Sequence, residues 1–321
     1  MSPTPLTIAV HERFLAELRA ALPPGHDVVS FGAESDAAMA ALLARADVLV
    51  WGAYKAAWRD PRGGRLRLVH STGAGVDGID FAGLPPGCTV CNVYGHEHGV
   101  AEQAFLLMLA LQRDLFGLDA ALRRGDWTPQ RPYLPELRGR RLLVLGLGHI
   151  GRQLVRWGRF VGMDVRVLTR SPEKARAEAV DAPVEGLEKL GAALPEADFV
   201  VVAIPAVANT IGLIGARELR LMRPSAFVIN VGRGPVIDED ALYEALRDRT
   251  IAGAGLDVWY QYPAPGQTLL PSRRPFHELP NVIMTPHKPT EETMAYRWRA
   301  IAENIGRLAA GEPLERVVTP A

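Results

Sequence analysis

The stretch that most constrains this chain is GLGHIG at 146–151, which joins an apolar run to an amphipathic one. RLLVLG (141–146) reads as a strand and HIGRQLVRWGRF (149–160) as a helix, with Gly146, Gly148 and Gly151 at the join. In that setting each glycine has a physical task. The first makes a tight turn, the second lets backbone approach a pyrophosphate, and the third lets helix pack closely on strand. The N-terminus of the helix favours the phosphate charge. The motif therefore predicts a βα unit of a dinucleotide-binding parallel sheet.

The same alternation runs along the whole chain. LTIAV (6–10), HDVVSF (26–31), DVLVWG (47–52), LRLVHS (66–71) and TVCNV (89–93) are short Val- and Leu-rich runs separated by helical patterns. After a long helical stretch from Val100 the theme repeats in RLLVLG, DVRVLT (164–169), DFVVVA (198–203), AFVIN (226–230), GAGLDV (253–258) and NVIMTP (281–286). Runs of this kind indicate βαβ units buried on both faces. DEDALYEALRD (238–248) and EETMAYRWRAIAENIGRLAAG (291–311) read as amphipathic helices, the second stopped by Gly311. FLLMLAL (105–111) reads as a buried helix face, and the Pro-rich WTPQRPYLPELRGR (127–140) as a surface connection. A length of 321 residues suits two α/β domains.

Composition excludes several classes. Lys plus Arg and Asp plus Glu both number 36, so no net field favours nucleic acid or an anionic membrane. No apolar run approaches the ~18–20 residues that span a bilayer, and the first residues lack the basic head and apolar stretch of a secretory signal. A cytoplasmic location is expected. Cys88 and Cys91 lie in an apolar strand without further ligands, which is a structural reading; no metal site is expected, the HEH triplet at 96–98 included.

The second strand of the nucleotide unit, DVRVLT, ends in Thr169, followed by Arg170, Ser171 and Lys174. An NAD site normally ends this strand in a carboxylate for the ribose 2′-hydroxyl. Here cationic and hydroxyl donors stand instead, which suits a 2′-phosphate. NADP(H) is the preferred cofactor on this reading, with NAD(H) as the other candidate.

Three later stretches, VINVGRGPVIDEDAL (228–242), AGLDVWYQYPAP (254–265) and NVIMTPH (281–287), together with GLGHIG and VAEQAFLLMLAL (100–111), resemble the D-isomer-specific 2-hydroxyacid dehydrogenase family. The resemblance runs from about Thr72 to the last helix. It implies a homodimer of two-domain subunits, each with two doubly wound α/β domains. A Rossmann cofactor domain (98–288) would be inserted into a flavodoxin-like substrate domain (1–97 and 289–321). By the same resemblance Arg233 grips the carboxylate and carbonyl of a small 2-oxo acid, and His287 is the acid/base. The backbone around Ala74 and Gly75 binds the substrate carboxylate, and Trp51 and Tyr54 are candidates for lining its pocket. Cofactor contacts are implied at Gly146, Gly148, His149, Ile150, Gly151, Thr169, Arg170, Ser171, Pro205, Thr210, Val231, Gly232, Asp257 and His287. The activity implied is reduction of a small 2-oxo acid such as glyoxylate or hydroxypyruvate to the D-2-hydroxy acid.

The departure is Tyr262, which occupies the position where most of the family has a glutamate paired with the histidine. Gln261, one place earlier, would match the glutamine of formate dehydrogenases only after a register shift. A phenol is neutral at pH 7 and stabilises imidazolium poorly. Three consequences stay open: Tyr262 orients His287 without charging it, another carboxylate such as Glu97 substitutes, or the reaction has changed or been lost. The competing readings are accordingly a dinucleotide-binding regulatory or scaffold protein, and a dehydrogenase of another small anion.

Overall fold

The computed structural model describes residues 4–60, 63–127, 133–177, 180–263, 267–288 and 290–319. Part of the Pro-rich connection (128–132) and residues 264–266 of the YPAPG segment lie outside that description. The chain divides into two compact units, Met1–Gly95 with Thr290–Ala321, and His96–Pro289.

In chain order the first unit holds β1 (Thr7–His11), β2 (Asp27–Phe31), β3 (Val48–Val50), β4 (Ala53–Tyr54), β5 (Leu68–His70), β6 (Gly78–Ile79) and β7 (Thr89–Cys91). Five of them form one parallel sheet in the order β2-β1-β3-β5-β7, while β4 and β6 pair separately. This is the flavodoxin-like order, whose reversal lies between β1 and β3. The strands carry apolar residues on both faces because both are covered. Ile8, Val10, Val48, Val50 and Cys91 pack with Trp298, Ile301 and Ile305 of the helix Glu291–Ala310. Ala9, Leu49, Val69 and Val90 face Met39, Leu42 and Leu43 of the helix Asp36–Leu43. The long last helix starts on Thr290, whose side chain accepts from the Thr293 amide, and stops at Gly311 with φ 70°. Burial drives the thiols up, to about 12 for Cys88 and about 11 for Cys91, so both are protonated structural groups.

The second unit holds β8 (Arg141–Leu145), β9 (Asp164–Thr169), β10 (Val184–Gly186), β11 (Phe199–Val202), β12 (Phe227–Asn230), β13 (Gly253–Leu256) and β14 (Val282–Met284). All pair in parallel in the order β10-β9-β8-β11-β12-β13-β14, the Rossmann order with an added strand. The helices Glu97–Gln112 and His149–Phe160 cover one face, Ala216–Leu221 and Glu239–Arg247 the other. Asp238 caps the last of these by accepting from the Ala241 amide at 2.8 Å. FLLMLAL supplies a buried helix face through Phe105, Leu107 and Met108, while Leu106 and Leu109, 54% and 47% exposed, leave apolar side chains on the opposite face.

One buried titratable group links the first unit's sheet to its last helix. The His70 Nδ1–H donates to the Ser71 carbonyl at 2.9 Å, and Nε2 accepts from Asn304 Nδ2 at 3.0 Å. The same Asn304 accepts from the Glu315 amide and donates to the Glu315 carbonyl, both at 2.9 Å, which fixes its orientation. Burial drives the imidazole down to about 4. An unfolded chain protonates this residue near 6.5. As pH falls from about 6.5 toward 4, the unfolded chain therefore takes up a proton that the folded one refuses. Stability falls across that window by roughly 3 kcal/mol and no further below it. His70→Gln, which retains an acceptor for Asn304, is expected to flatten this part of the profile of unfolding free energy against pH. Equal slopes in the two proteins would contradict the assignment.

Candidate active site

Strand register brings the three signature stretches together. Asn230 of β12 pairs with Leu256 of β13, and Leu256 pairs with Met284 of β14. The three strands thus end level, and Val231–Arg233, Asp257–Trp259 and Thr285–His287 leave the sheet side by side from its carboxyl edge, where ligands bind in open α/β sheets.

Hydrogen bonds then fix these turns. Asn230, buried, accepts from the Gly232 amide at 3.1 Å and donates to the Arg233 carbonyl at 3.0 Å. Gly234 is required beside Arg233, because a Cβ there would lie 2.4 Å from the Trp259 carbonyl oxygen. The Trp259 indole N–H donates to the Thr285 carbonyl at 2.8 Å. The Thr285 hydroxyl donates to Asp257 Oδ1 at 2.5 Å and accepts from Gln103 Nε2 at 3.1 Å. Two residues on, His287 sits in the left-handed region with φ 52°, a conformation that costs a non-glycine residue about 1–3 kcal/mol unless its surroundings hold it.

Tyr262 meets this histidine in the unshifted register, so no slip toward Gln261 is needed. Its hydroxyl accepts from the Trp259 amide at 3.0 Å and lies 3.3 Å from His287 Nδ1. With the amide proton already on its oxygen, the hydroxyl's own proton is free to point at Nδ1 of a neutral ring. Tyr262 is 52% exposed, yet burial of its hydroxyl outweighs the lowering effects of the Trp259 amide and the Arg233 charge and raises its pKa, so the phenol is neutral. Arg233 thus lies within electrostatic reach of Tyr262. The carboxylate set against the His287 backbone amide and within reach of its charge is Asp257, which is 7% exposed. Burial raises the Asp257 pKa, opposed by the Thr285 hydroxyl and by His287. Glu97 is the acidic first-turn residue of the helix Glu97–Gln112. Tyr262, Trp259 and Thr285 also line a largely apolar cavity of about 320 Å³ with Leu269, Met284 and Pro286.

The nucleotide motif has the expected shape. Gly146 has φ 104°, and a Cβ on Gly151 would come within 2.1 Å of the Gly146 carbonyl oxygen. A Cβ on Gly148 would meet nothing within 4 Å, so the backbone before helix His149–Phe160 faces open space, and no side chain caps that helix. An anionic dinucleotide fits such a cradle. Thr169 ends β9 half-buried, and Arg170, Ser171 and Lys174 follow it exposed; among the described residues neither Arg170 nor Lys174 has a carboxylate partner. Pro205 is exposed, whereas the Val231 side chain lies in the core. Thr210 corrects its reading as a cofactor contact. Fully buried, its hydroxyl accepts from the Val207 amide and donates to the Pro205 carbonyl, shaping the loop from within.

In the first unit, the loop after β5 is held through its carbonyls. Ser71 Oγ donates to the Gly75 carbonyl at 2.7 Å and Asn92 Nδ2 to that of Ala74 at 2.9 Å. Among the described residues the amides of Ala74 and Gly75 donate to no protein acceptor. Tyr54 needs correction as a pocket residue. It is 1% exposed and packs edge-on against Trp58 in the core, out of reach of a ligand arriving from solvent. Trp51 instead is half-buried, stacked on His11.

Asn230, Trp259, Thr285 and Gln103 were not singled out by sequence. The first three lie inside the signature stretches; Asn230 closes its own turn onto Gly232 and Arg233, while Trp259 and Thr285 reach partners on other strands or helices.

Fold and motif together define a protein with a Rossmann dinucleotide-binding unit. The model of the D-isomer specific 2-hydroxyacid dehydrogenase NAD binding domain matches residues 105–288. D-3-phosphoglycerate dehydrogenase of Methanocaldococcus jannaschii is 35% identical over 279 residues, 85% of this chain and 52% of that protein. The chain thus spans about half the length of the curated phosphoglycerate dehydrogenases it matches. Glyoxylate reductase of Thermococcus litoralis is 32% identical over 259 residues, 77% of this chain and 75% of that one. Among solved structures, the NADPH-dependent glyoxylate/hydroxypyruvate reductase of Sinorhizobium meliloti, in complex with NADP and malonate, has a TM-score of 0.82 at 26% identity. That match covers 98% of this chain and 97% of the other. The chain belongs to the D-isomer specific 2-hydroxyacid dehydrogenase family.

Proposed function

We propose that the protein is an NADP(H)-preferring reductase of small 2-oxo acids, yielding the D-2-hydroxy acid. The observation that carries this reading is the Tyr262–His287 contact with Arg233 in electrostatic reach, at the level ends of β12, β13 and β14. The cradle of Gly146, Gly148 and Gly151 would hold the pyrophosphate of a dinucleotide, whose nicotinamide would supply the hydride. The chain's own residues supply the rest. The planar fork of Arg233 suits a carboxylate and the adjoining carbonyl oxygen, where negative charge develops on reduction. The amides of Ala74 and Gly75 belong to the same proposal as donors to the substrate carboxylate. His287 delivers the proton to the carbonyl oxygen.

Tyr262 serves either state of that histidine. Its hydroxyl donates to Nδ1 of the neutral ring and accepts from Nδ1–H of the imidazolium. In neither state does it supply a countercharge, so its role here is orientation. Arg233→Lys is expected to keep the fold and cofactor affinity but to lower kcat/KM for glyoxylate or hydroxypyruvate on the order of 10²-fold, because a point charge cannot replace the fork. Near-normal turnover in the variant would overturn the role of Arg233. Cofactor binding without turnover of any short 2-oxo acid by the unmodified protein would favour the dinucleotide-binding reading.

Two further parts of the proposal concern partners. The exposed Leu106 and Leu109 are followed by exposed Leu115, Phe116, Leu118 and Leu122 on the helix Leu115–Arg123. An apolar surface of this extent supports a homodimer. Among the described residues no helix is long and apolar enough to cross a membrane, and a cytoplasmic location remains part of the proposal. For the cofactor, the exposed Arg170, Ser171 and Lys174 after β9 support a 2′-phosphate. NADPH is expected to bind more tightly than NADH by about 1–3 kcal/mol, the range of a charge-assisted hydrogen bond. Arg170→Asp should reverse the order in a fluorescence titration; equal affinities in the unmodified protein would contradict the preference.

A further inference from the structure

The loop after β5 owes its shape to groups that take no part in the proposed reaction. In a trans peptide the N–H points opposite the preceding carbonyl within one plane, so holding the carbonyl of one residue fixes the amide of the next. Among the described residues every peptide is trans. The Gly73 carbonyl accepts from the Val93 amide at 3.1 Å, which aims the Ala74 N–H. The Ala74 carbonyl accepts from Asn92 Nδ2 at 2.9 Å, which aims the Gly75 N–H. Ser71 Oγ then closes the loop on the Gly75 carbonyl at 2.7 Å.

Two routes tie these groups to the segment Glu315–Val318. On one side, Val317 bridges Cys91 of β7 in antiparallel fashion, and the Val318 amide donates to the Val90 carbonyl at 2.8 Å. The Asn92 amide, next along, donates to the Arg316 carbonyl at 3.3 Å. On the other side, Asn304 holds Glu315 by its amide and carbonyl and donates to His70 Nε2, while His70 Nδ1–H donates to the Ser71 carbonyl. The segment is itself anchored, because Arg307 Nη2 bonds Glu315 Oε1 and Arg316 Nη2 the Tyr296 hydroxyl, both at 2.5 Å. Asn92 and Asn304 are both buried. Asn92 leaves its Oδ1 without a protein partner, a cost that an apolar side chain of similar size would avoid. What its amide supplies in return is the tie to Ala74. We infer that Asn92, Asn304 and Ser71 are positioning residues, which hold the amides of Ala74 and Gly75 in the orientation that receives a carboxylate and so set the affinity for the substrate. This role rests on the proposed assignment of those amides to the substrate carboxylate, and its hydrogen bonds lie within the first unit alone.

The test is an NMR titration of the full chain with oxamate, without cofactor, read at the backbone amides of Ala74 and Gly75. Both resonances of the unmodified protein are expected to move as oxamate is added. Asn92→Leu removes one tie at similar volume, and Asn304→Leu removes the other route without touching the loop. Each should raise the half-saturating oxamate concentration about tenfold. Ser71→Ala should raise it as well, and Ser71→Thr, which keeps the hydroxyl, should restore the unmodified value. In turnover, Asn92→Leu should raise KM for glyoxylate by a similar factor with kcat within about twofold, the pattern of lost substrate binding. A lower Tm with unchanged half-saturation is the signature of a purely structural role; in the two leucine variants it would overturn the inference and leave the carboxylate assignment standing. The Ser71 pair keeps the test decisive if a leucine variant does not fold, since equal half-saturation in Ser71→Ala and the unmodified protein would also overturn it. Amides that ignore oxamate in the unmodified protein would overturn the carboxylate assignment and the positioning role together.

Discussion

The Thr285 hydroxyl is the smallest group on which the candidate site depends. It joins Asp257 at the end of β13 to Gln103 on the covering helix, while the Thr285 carbonyl is held by the Trp259 indole. These bonds pin the chain two residues before His287 and so define where a residue in the left-handed region can put its ring. Level strand ends would bring the three signature turns together even without this lattice. They would not fix the orientation of a half-exposed histidine.

Electrostatically, a phenol at Nδ1 acts differently from a carboxylate there. A carboxylate beside Nδ1 would hold a proton there and supply a countercharge to the imidazolium. A phenol whose oxygen already accepts the Trp259 amide does neither; it offers a proton to a neutral ring. Asp257 accepts the His287 backbone amide, and burial raises its own pKa. Arg233 places a positive charge within electrostatic reach of Tyr262.

Sequence made the fold legible wherever burial on both faces wrote a run of apolar residues, which gave eleven of the strands described above. It did not anticipate β10, whose Val-Glu-Gly holds a single apolar side chain, or the two-residue pair β4 and β6. Glycine motifs were readable because close approach admits no other residue, as at Gly151. Polar side chains were less so. Thr210 and Tyr54 sit at suggestive positions, yet tertiary packing consumes the hydroxyl of one and buries the ring of the other. Trp259 and Thr285 had no role legible in sequence, because each acts through a partner from a different element. The helical run at 105–111 showed its apolar content but not that one of its faces would be left uncovered.

The central claim is that the neutral hydroxyl of Tyr262 faces His287 Nδ1 and hydrogen-bonds it. The most direct measurement is the nitrogen NMR spectrum of the protein labelled in its histidine rings, with His287 assigned by substitution. At a pH where that ring is neutral, the account predicts an unprotonated, hydrogen-bond-accepting Nδ1 and a proton on Nε2, with the pattern altered by Tyr262→Phe. A protonated Nδ1 in the neutral ring, insensitive to Tyr262→Phe, would contradict it and point to a carboxylate partner.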